Sequence, residues 1–318
     1  MLQPYRLDII IPCYNEAGVL PDTCSQLVLL VKNLKAKQLI SKQSYIYLID
    51  DGSIDKTWSI IEDLTAKYNC TEGIRLSRNY GHQNALLAGL FSVSGDYVIS
   101  LDADLQDDIN AIELMLSKAE THDVVYAARE KRESDSFFKK YSAALFYKLM
   151  DFLACELVPN HADYRLLSRK AIEHLKTFKE TNLFLRGLIP LLGFESTIVY
   201  YNRLPRTSGE SKYSLFKMLA LAWNGITSLS IAPLRIITII GFLVFIVSSF
   251  MGLWGLYIRF FTEQAIPGWA STILPIYFIG GIQLLSLGVI GEYIGKIYME
   301  TKHRPRYFIA QRTDEKSS

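Results

Sequence analysis

Three short stretches hold most of the residues that could do chemistry: Pro12-Cys13-Tyr14-Asn15-Glu16, Asp50-Asp51-Gly52-Ser53-Ile54-Asp55 and Asp102-Ala103-Asp104-Leu105-Gln106-Asp107-Asp108. Carboxylates brought together repel one another and lose hydration, so such a site costs stability unless a cation or hydrogen-bond donors compensate. Several clusters together point to a metal-dependent site more strongly than any one of them. Asp102 and Asp104, spaced by one residue, suit Mg²⁺ or Mn²⁺ held through one or two carboxylate oxygens, with diphosphate oxygens and water completing the shell. A calcium-binding EF-hand loop is excluded, because Asp107 stands where that loop needs glycine and a strand-like run precedes it instead of a helix. Asp50 to Ser53 carry a second reading as a turn, with Asp55 or Ser53 capping the helix that follows.

A scaffold must bring these stretches together. β-Branched and aromatic runs at 7–11, 45–50, 73–76, 97–102, 123–127 and 197–201 predict strands, and helical periodicity predicts helices at 19–34, 56–68, 83–93, 109–119 and 137–149. Such alternation predicts an open α/β sheet with crossover helices, whose ligands collect at the carboxyl ends of the strands. The acidic stretches all fall at such ends. Arg78-Asn79-Tyr80-Gly81-His82 falls at another, and the sequence assigns His82 no role.

Of the 318 residues, 50% are hydrophobic and 21% charged, and the mean hydropathy of +0.15 is high for a wholly soluble enzyme. Lys and Arg number 34 against 32 Asp and Glu, a balance that excludes a chain built to coat nucleic acid. Four cysteines stand singly with no C-x-x-C, which predicts free thiols and no structural zinc. No cleaved leader is expected, since the run at 7–11 is short and interrupted by Asp8.

The apolar excess is concentrated near the C-terminal end. Residues 236–258 form an uncharged run of 23 between Arg235 and Arg259, about 34 Å as a helix and enough to cross a hydrocarbon core of about 30 Å. A second uncharged stretch lies between Glu263 and Glu292, most apolar at 271–291. Basic residues flank the pair outside (Arg203, Arg206, Lys212, Lys217, Arg235; then Lys296, Lys302, Arg304, Arg306), while the connector carries only Arg259. The positive-inside rule then puts both ends of the chain in the cytoplasm. The stretch at 215–233 reads either as a helix lying in the membrane interface or as an amphipathic helix packed on the soluble part. Gly280, Gly281, Gly288, Gly291 and Gly295 predict close packing within the hairpin first and oligomerisation second. The expected organisation is a domain at 1–213, a juxtamembrane helical region at 214–234, a transmembrane hairpin at 235–291 and a cytoplasmic tail at 292–318.

Taken together, Pro12-x-Tyr14-Asn15-Glu16, Asp50-Asp51-Gly52-Ser53-x-Asp55, Asp102-Ala103-Asp104-Leu105-Gln106-Asp107 and Asp163-Tyr164-Arg165 resemble the motifs of family 2 glycosyltransferases with the GT-A fold, a Rossmann-like nucleotide-sugar domain. The likeness extends through Arg206-x-x-Gly209-x-Ser211-Lys212-Tyr213, the two spans and Gly291-Glu292-Tyr293-Ile294-Gly295-Lys296-Ile297-Tyr298. This longer pattern is similar to the polyprenyl-phosphate glycosyltransferases, which include dolichol-phosphate mannose synthase and, closer, the bacterial bactoprenol glucosyltransferases of O-antigen modification.

The resemblance implies a role for each motif. Pro12, Tyr14, Glu16 and Asp51 would line the nucleotide pocket, Asp102, Asp104 and Gln106 would handle the metal and diphosphate, and Arg206 and Lys212 would close over the diphosphate. Positive-inside topology explains Lys212 equally well. Acceptor phosphate would be gripped from a basic cluster leading into 137–149, with Arg129, Lys139, Lys140 and Ser142 as candidates; a solvated helix face competes for Lys131 and Arg132. Asp163 and Arg165 would sit by the sugar. The implied reaction is inverting transfer of a hexose, glucose from UDP-glucose first, onto undecaprenyl phosphate at the cytoplasmic face of a bacterial inner membrane, with Mg²⁺ or Mn²⁺. Mannose or formamido-arabinose as the sugar, and a non-catalytic membrane scaffold, stand as alternatives. A processive polysaccharide synthase is disfavoured by the absence of Gln-x-x-Arg-Trp.

Overall fold

The computed structural model describes residues 4–129, 161–180, 185–201, 227, 232–261 and 269–314. The segment 137–149, and with it Lys131, Arg132, Lys139, Lys140 and Ser142, lies outside the described residues, as do Arg206 and Lys212. Eight strands form one sheet: β1 (Leu7–Cys13), β2 (Tyr45–Asp50), β3 (Thr71–Leu76), β4 (Tyr97–Ser100), β5 (Val124–Arg129), β6 (His161–Ser168), β7 (Ser196–Tyr201) and β8 (Ile309–Arg312), in the order β7-β5-β6-β4-β1-β2-β3-β8. β4, β1, β2 and β3 run parallel, β6 is antiparallel to β4 and β5, β7 is parallel to β5, and β8 is antiparallel to β3.

Helices cover both faces, which is why β1 is buried along its whole length and reads as an unbroken apolar run. Leu7, Ile9, Ile11 and Cys13 point to one side, where α1 (Leu20–Ala36), α2 (Thr57–Lys67) and α4 (Ala111–Ala119) supply Leu27, Ile61 and Met115. Ile10 and Ile49 point to the other, meeting Leu86 and Leu90 of α3 (His82–Ser92). That second face is extended by α5 (Arg169–Leu175) through Ile172 and by α6 (Leu185–Leu191) through Leu188. The expected α/β sheet is present, and five of the six expected strands overlap observed ones closely. The fourth ends at Ser100 rather than Asp102, so the acidic stretch leaves the sheet as a loop in which Leu105 adopts φ +51°. β6 and β8 were not among the expected strands.

Two long helices follow, α7 (Ala232–Phe261) and α8 (Trp269–Thr301), and they contact each other. Phe278–Thr301 is long and apolar enough to cross a membrane, and α7 carries a shorter apolar segment, Pro233–Val244. Large apolar side chains such as Phe250 and Leu284 are exposed on these helices. Among the described residues, a Cβ added at Gly280, Gly281, Gly288, Gly291 or Gly295 would meet nothing within 4 Å. The segment expected to be a tail instead returns to the sheet. β8 pairs with the edge of β3, and Thr313 extends the ladder: its hydroxyl Oγ1 accepts from Gly73 N at 2.8 Å, and its amide donates to Gly73 O at 3.0 Å.

Candidate active site

Strand register assembles the site. Parallel pairing of Cys13 with Asp50 and of Ile10 with Ser100 sets the loops after β1, β2 and β4 side by side at their carboxyl ends. Between them lies a cavity of about 380 Å³ lined by residues that include Pro12, Tyr14, Glu16, Asp51, His82, Asp102 and Asp104. Six of the residues expected at the donor or metal site therefore share one cavity. Gln106 does not line it: the residue is 2% exposed, and its Oε1 has no hydrogen-bond partner among the described residues.

The Asp50 and Asp51 pair divides its work. Asp50 turns inward, accepting from Ser53 N at 3.1 Å and facing Arg75 Nε at 3.4 Å. Asp51 accepts from Tyr80 N at 2.8 Å and from Gly81 N at 2.9 Å, so it fixes the loop after β3 against the cavity. Burial pushes the Asp51 carboxyl up, and those two amides oppose the rise. Ser53 accepts from Asn15 N, while Asp55 bonds the amide and hydroxyl of Thr57 at the start of α2. The turn-and-cap reading thus holds for Asp55, and Ser53 ties two site loops together. Gly52, at φ +65°, permits the approach, since a Cβ there would lie 2.3 Å from the carbonyl carbon of Arg78.

β6 brings the second half of the site. Its antiparallel register with β4, Ser100 against Arg165, carries Asp163 alongside Asp102 when extended past the strand end, and Ser100 Oγ donates to Asp163 O at 2.6 Å. Asp163 and Arg165 lie two residues apart, on one face of the strand, and their side chains pair. Arg186 of α6 adds a two-pronged contact, Nε to Oδ1 at 3.3 Å and Nη2 to Oδ2 at 3.2 Å. His82 Nε2 stands 3.3 Å from Asp163 Oδ2 and 3.7 Å from Asp102 Oδ1, bridging the two halves.

Electrostatics follow from this packing. Burial would raise the Asp163 carboxyl, but Arg165, His82 and Arg186 outweigh it and hold it well below the usual carboxylate range. Asp102 is pushed up by burial and by Asp163, Asp107 and Asp104, against the opposing pull of His82. Burial disfavours a charged His82, yet its bond to Asp163 and the charges of Asp102 and Asp163 raise its pKa. A carboxyl raised by its own neighbours, on the wall of an open cavity beside Asp104, is a donor set that a divalent cation fits. Two protein carboxylates are enough for Mg²⁺ or Mn²⁺, which take much of their shell from phosphates and water. Among the described residues no three His, Cys, Asp or Glu side chains converge as a closed metal site.

Sequence reasoning missed His82, Gln83 and Arg186. Gln83 Oε1 accepts from Leu185 N at 2.9 Å, so the first turn of α3 holds the start of α6 as well as placing His82. Arg129 is the last residue of β5, at the edge of the described segment.

Residues 8–176 match the sequence profile of Glycosyl transferase family 2, which spans most of the sheet and the cavity. The chain belongs to that family. This family 2 glycosyltransferase is 46% identical over 306 residues to the uncharacterized glycosyltransferase YkoT of Bacillus subtilis (strain 168), covering 95% of this chain and 90% of that one. It is 37% identical over 310 residues to the bactoprenol glucosyl transferase of Shigella phage SfX, covering 96% and 99%. Among solved structures, glucosyl-3-phosphoglycerate synthase from Mycobacterium tuberculosis, in complex with Mn²⁺, UDP and phosphoglyceric acid, is 18% identical with a TM-score of 0.47, covering 71% of this chain and 77% of that one. The family 2 glycosyltransferase is an enzyme, and its α/β sheet carries the motif residues at one edge.

Proposed function

We propose that this chain transfers a hexose, glucose from UDP-glucose, to undecaprenyl phosphate with inversion. The observation that carries the reading is the joining of a carboxylate-lined cavity to a buried Asp163–arginine cluster through one side chain, His82. The donor and acceptor are suggested by the near full-length likeness to bactoprenol glucosyl transferases. Tyr14 and Glu16 would meet the nucleotide, and Asp102 and Asp104 would hold Mg²⁺ or Mn²⁺. When bound, the cation neutralises charge on the diphosphate.

Asp163 is a positioning residue in this scheme. Its carboxylate is already engaged by Arg165, Arg186 and His82, which leaves it a poor proton acceptor. None is needed, since a phosphate monoester, with a second pKa near about 6, is largely ionised at neutral pH. The acceptor oxygen forms its bond to the anomeric carbon as the bond to UDP breaks, and the electron pair leaves on UDP. Arg206 and Lys212 are assigned to the diphosphate, and Lys139, Lys140, Ser142 and Arg129 to the acceptor side. α7 and α8 would anchor the enzyme as a transmembrane hairpin in the bacterial inner membrane, with the sheet in the cytoplasm. Membrane anchoring is supported by the apolar segment Phe278–Thr301.

Purified protein in detergent with Mg²⁺, undecaprenyl phosphate and a panel of labelled nucleotide sugars tests the reading. UDP-glucose alone should deliver label into organic solvent, and Asp104→Ala should abolish it. Failure of every donor, with UDP still bound, would overturn it.

A further inference from the structure

The loop after β3 is held at two places. Asp51 takes the amides of Tyr80 and Gly81 on its two carboxylate oxygens, and Asn79, Gly81 and His82 line the same cavity as Asp51. The second hold comes from the far end of the chain. Ser77, the first residue past β3, donates its amide to Phe308 O at 2.9 Å, and its hydroxyl stands 2.9 Å from the Tyr80 hydroxyl. The Arg78 guanidinium lies 4.8 Å from the centre of the Tyr80 ring. Ser77, with Arg78 and the Phe308 backbone, pulls the Tyr80 phenol below its ordinary value.

The segment that supplies Phe308 is itself fixed. Between α8 and β8, Arg306 donates to the Phe178 carbonyl, and Tyr307 packs half-buried against the core on the α3 side of the sheet. β8 then meets β3 with a shift of register: Gln311 faces Arg75 and Ile309 faces Leu76, which leaves Ala310 as a bulge. A cavity of about 350 Å³ lies at this junction, lined by Gly52, Arg75, Leu76, Ser77, Ala310 and Gln311. With open space there among the described residues, hydrogen bonds rather than apolar packing set where the loop lies. A loop already held in its binding shape costs a ligand less to order.

We propose that the segment 306–309 is part of the donor site, holding the loop after β3 in place for the nucleotide, with the hydroxyls of Ser77 and Tyr80 as positioning groups. Ser77, Tyr80 and Tyr307 are not among the residues that line the cavity, so they act through the loop. The inference rests on the reading of that cavity as the donor site and deepens it: a site built at the ends of β1, β2 and β4 is completed by residues that follow α8.

The test uses full-length protein in detergent, with calorimetric binding of UDP in Mn²⁺, thermal melting and steady-state transfer to undecaprenyl phosphate. Ser77→Ala and Tyr80→Phe remove the same hydroxyl pair, so each should weaken UDP about three- to tenfold, and the double variant no more than either alone. Ser77→Thr, which keeps a hydroxyl, should bind UDP within about twofold of wild type. Tyr307→Ala, which loosens the segment before β8, should weaken UDP at least as much as Ser77→Ala does. The acceptor KM should stay within about twofold throughout. Should Tyr307→Ala not fold, Arg306→Gln, which removes the bond to Phe178, takes its place. Unchanged UDP affinity in Ser77→Ala or in the variant of the C-terminal segment would overturn the proposal, even with a lower melting temperature, because the segment would then only close the sheet edge. If Tyr80→Phe alone weakened UDP, the phenol would have a direct contact with the nucleotide, which equally ends the proposal. Wild type that binds no UDP would defeat the donor reading itself, and that outcome is distinct from all the others.

Discussion

His82 Nε2 lies 3.3 Å from Asp163 Oδ2, so the first residue of α3 reaches a carboxylate placed by β6. The same nitrogen is 3.7 Å from Asp102 Oδ1, and His82 thereby spaces the carboxylates on which the two halves of the site are built. Replacing it with alanine removes a polar bridge worth about 1.5–3 kcal/mol when one partner is charged. His82→Ala should lower kcat by about ten- to a hundredfold, and His82→Gln, which retains a donor, should recover part of the loss. Equal turnover in wild type and His82→Ala would show that the bridge has no part in transfer.

Asp163→Asn should be costly before any chemistry is considered. It removes the charge that balances buried Arg165, and breaking one side of a buried pair costs about 3–5 kcal/mol. Denaturant unfolding of the variant in detergent would measure that loss. The pair Asp163→Asn and Arg165→Met should recover a substantial part of it, since no buried charge then lacks its partner.

Acid should weaken the fold in a defined window. Arg165, His82 and Arg186 hold Asp163 well below the usual range against the effect of burial. The Ser168 hydroxyl, which donates to Asp123 at 2.6 Å, holds that carboxyl lower too, with help from Lys170. Both groups bind protons more tightly in the unfolded chain, so the stability they contribute is complete above the unfolded value of about 3.9 and is lost as pH falls through the folded values. Unfolding midpoints recorded from neutral pH downward should decline more gently in Asp123→Asn than in wild type. Parallel declines would contradict the assignment.

Two small substitutions probe the loop after β3. Gly52→Ala forces a Cβ to within 2.3 Å of the Arg78 backbone at a positive φ, a strain of about 1–3 kcal/mol. UDP affinity should drop about tenfold or more as that loop is pushed from Asp51. Thr313→Ala loses the bond from Gly73 N at 2.8 Å and should cost about 1 kcal/mol in stability. Calorimetry and unfolding curves on the same preparations check both.

The parts of this fold that are legible in the sequence are those with a local cause. β1 and β2 read clearly because helices cover both of their faces, and Asp51, Asp102 and Asp104 read as a site because several acidic stretches gathered at strand ends are costly without a cation or hydrogen-bond donors. β6 is hidden because Asp163 and Arg165 interrupt its apolar run; each is buried only because the other lies beside it. Arg186 sits in Leu185-Arg186-Gly187-Leu188 with no acidic neighbour, and its partner is 23 residues earlier in the chain. β8 is still less visible. Four residues behind Arg304 and Arg306 look like a charged tail, and the edge they complete includes a contact 240 residues away in sequence. Such pairings depend on strand order, which no short window of sequence contains.

The return of β8 to β3 also bears on how the enzyme is made. A ribosome delivers the strands from β1 to β7 first, then α7 and α8, and only afterwards the strand that seals the sheet. Until those helices have been synthesised, β3 presents an open edge just before the loop that carries His82, and an open edge invites pairing with other chains. The part of the sheet made before α7 and α8 is thus unfinished while those helices are being synthesised, and its last seam closes only after them.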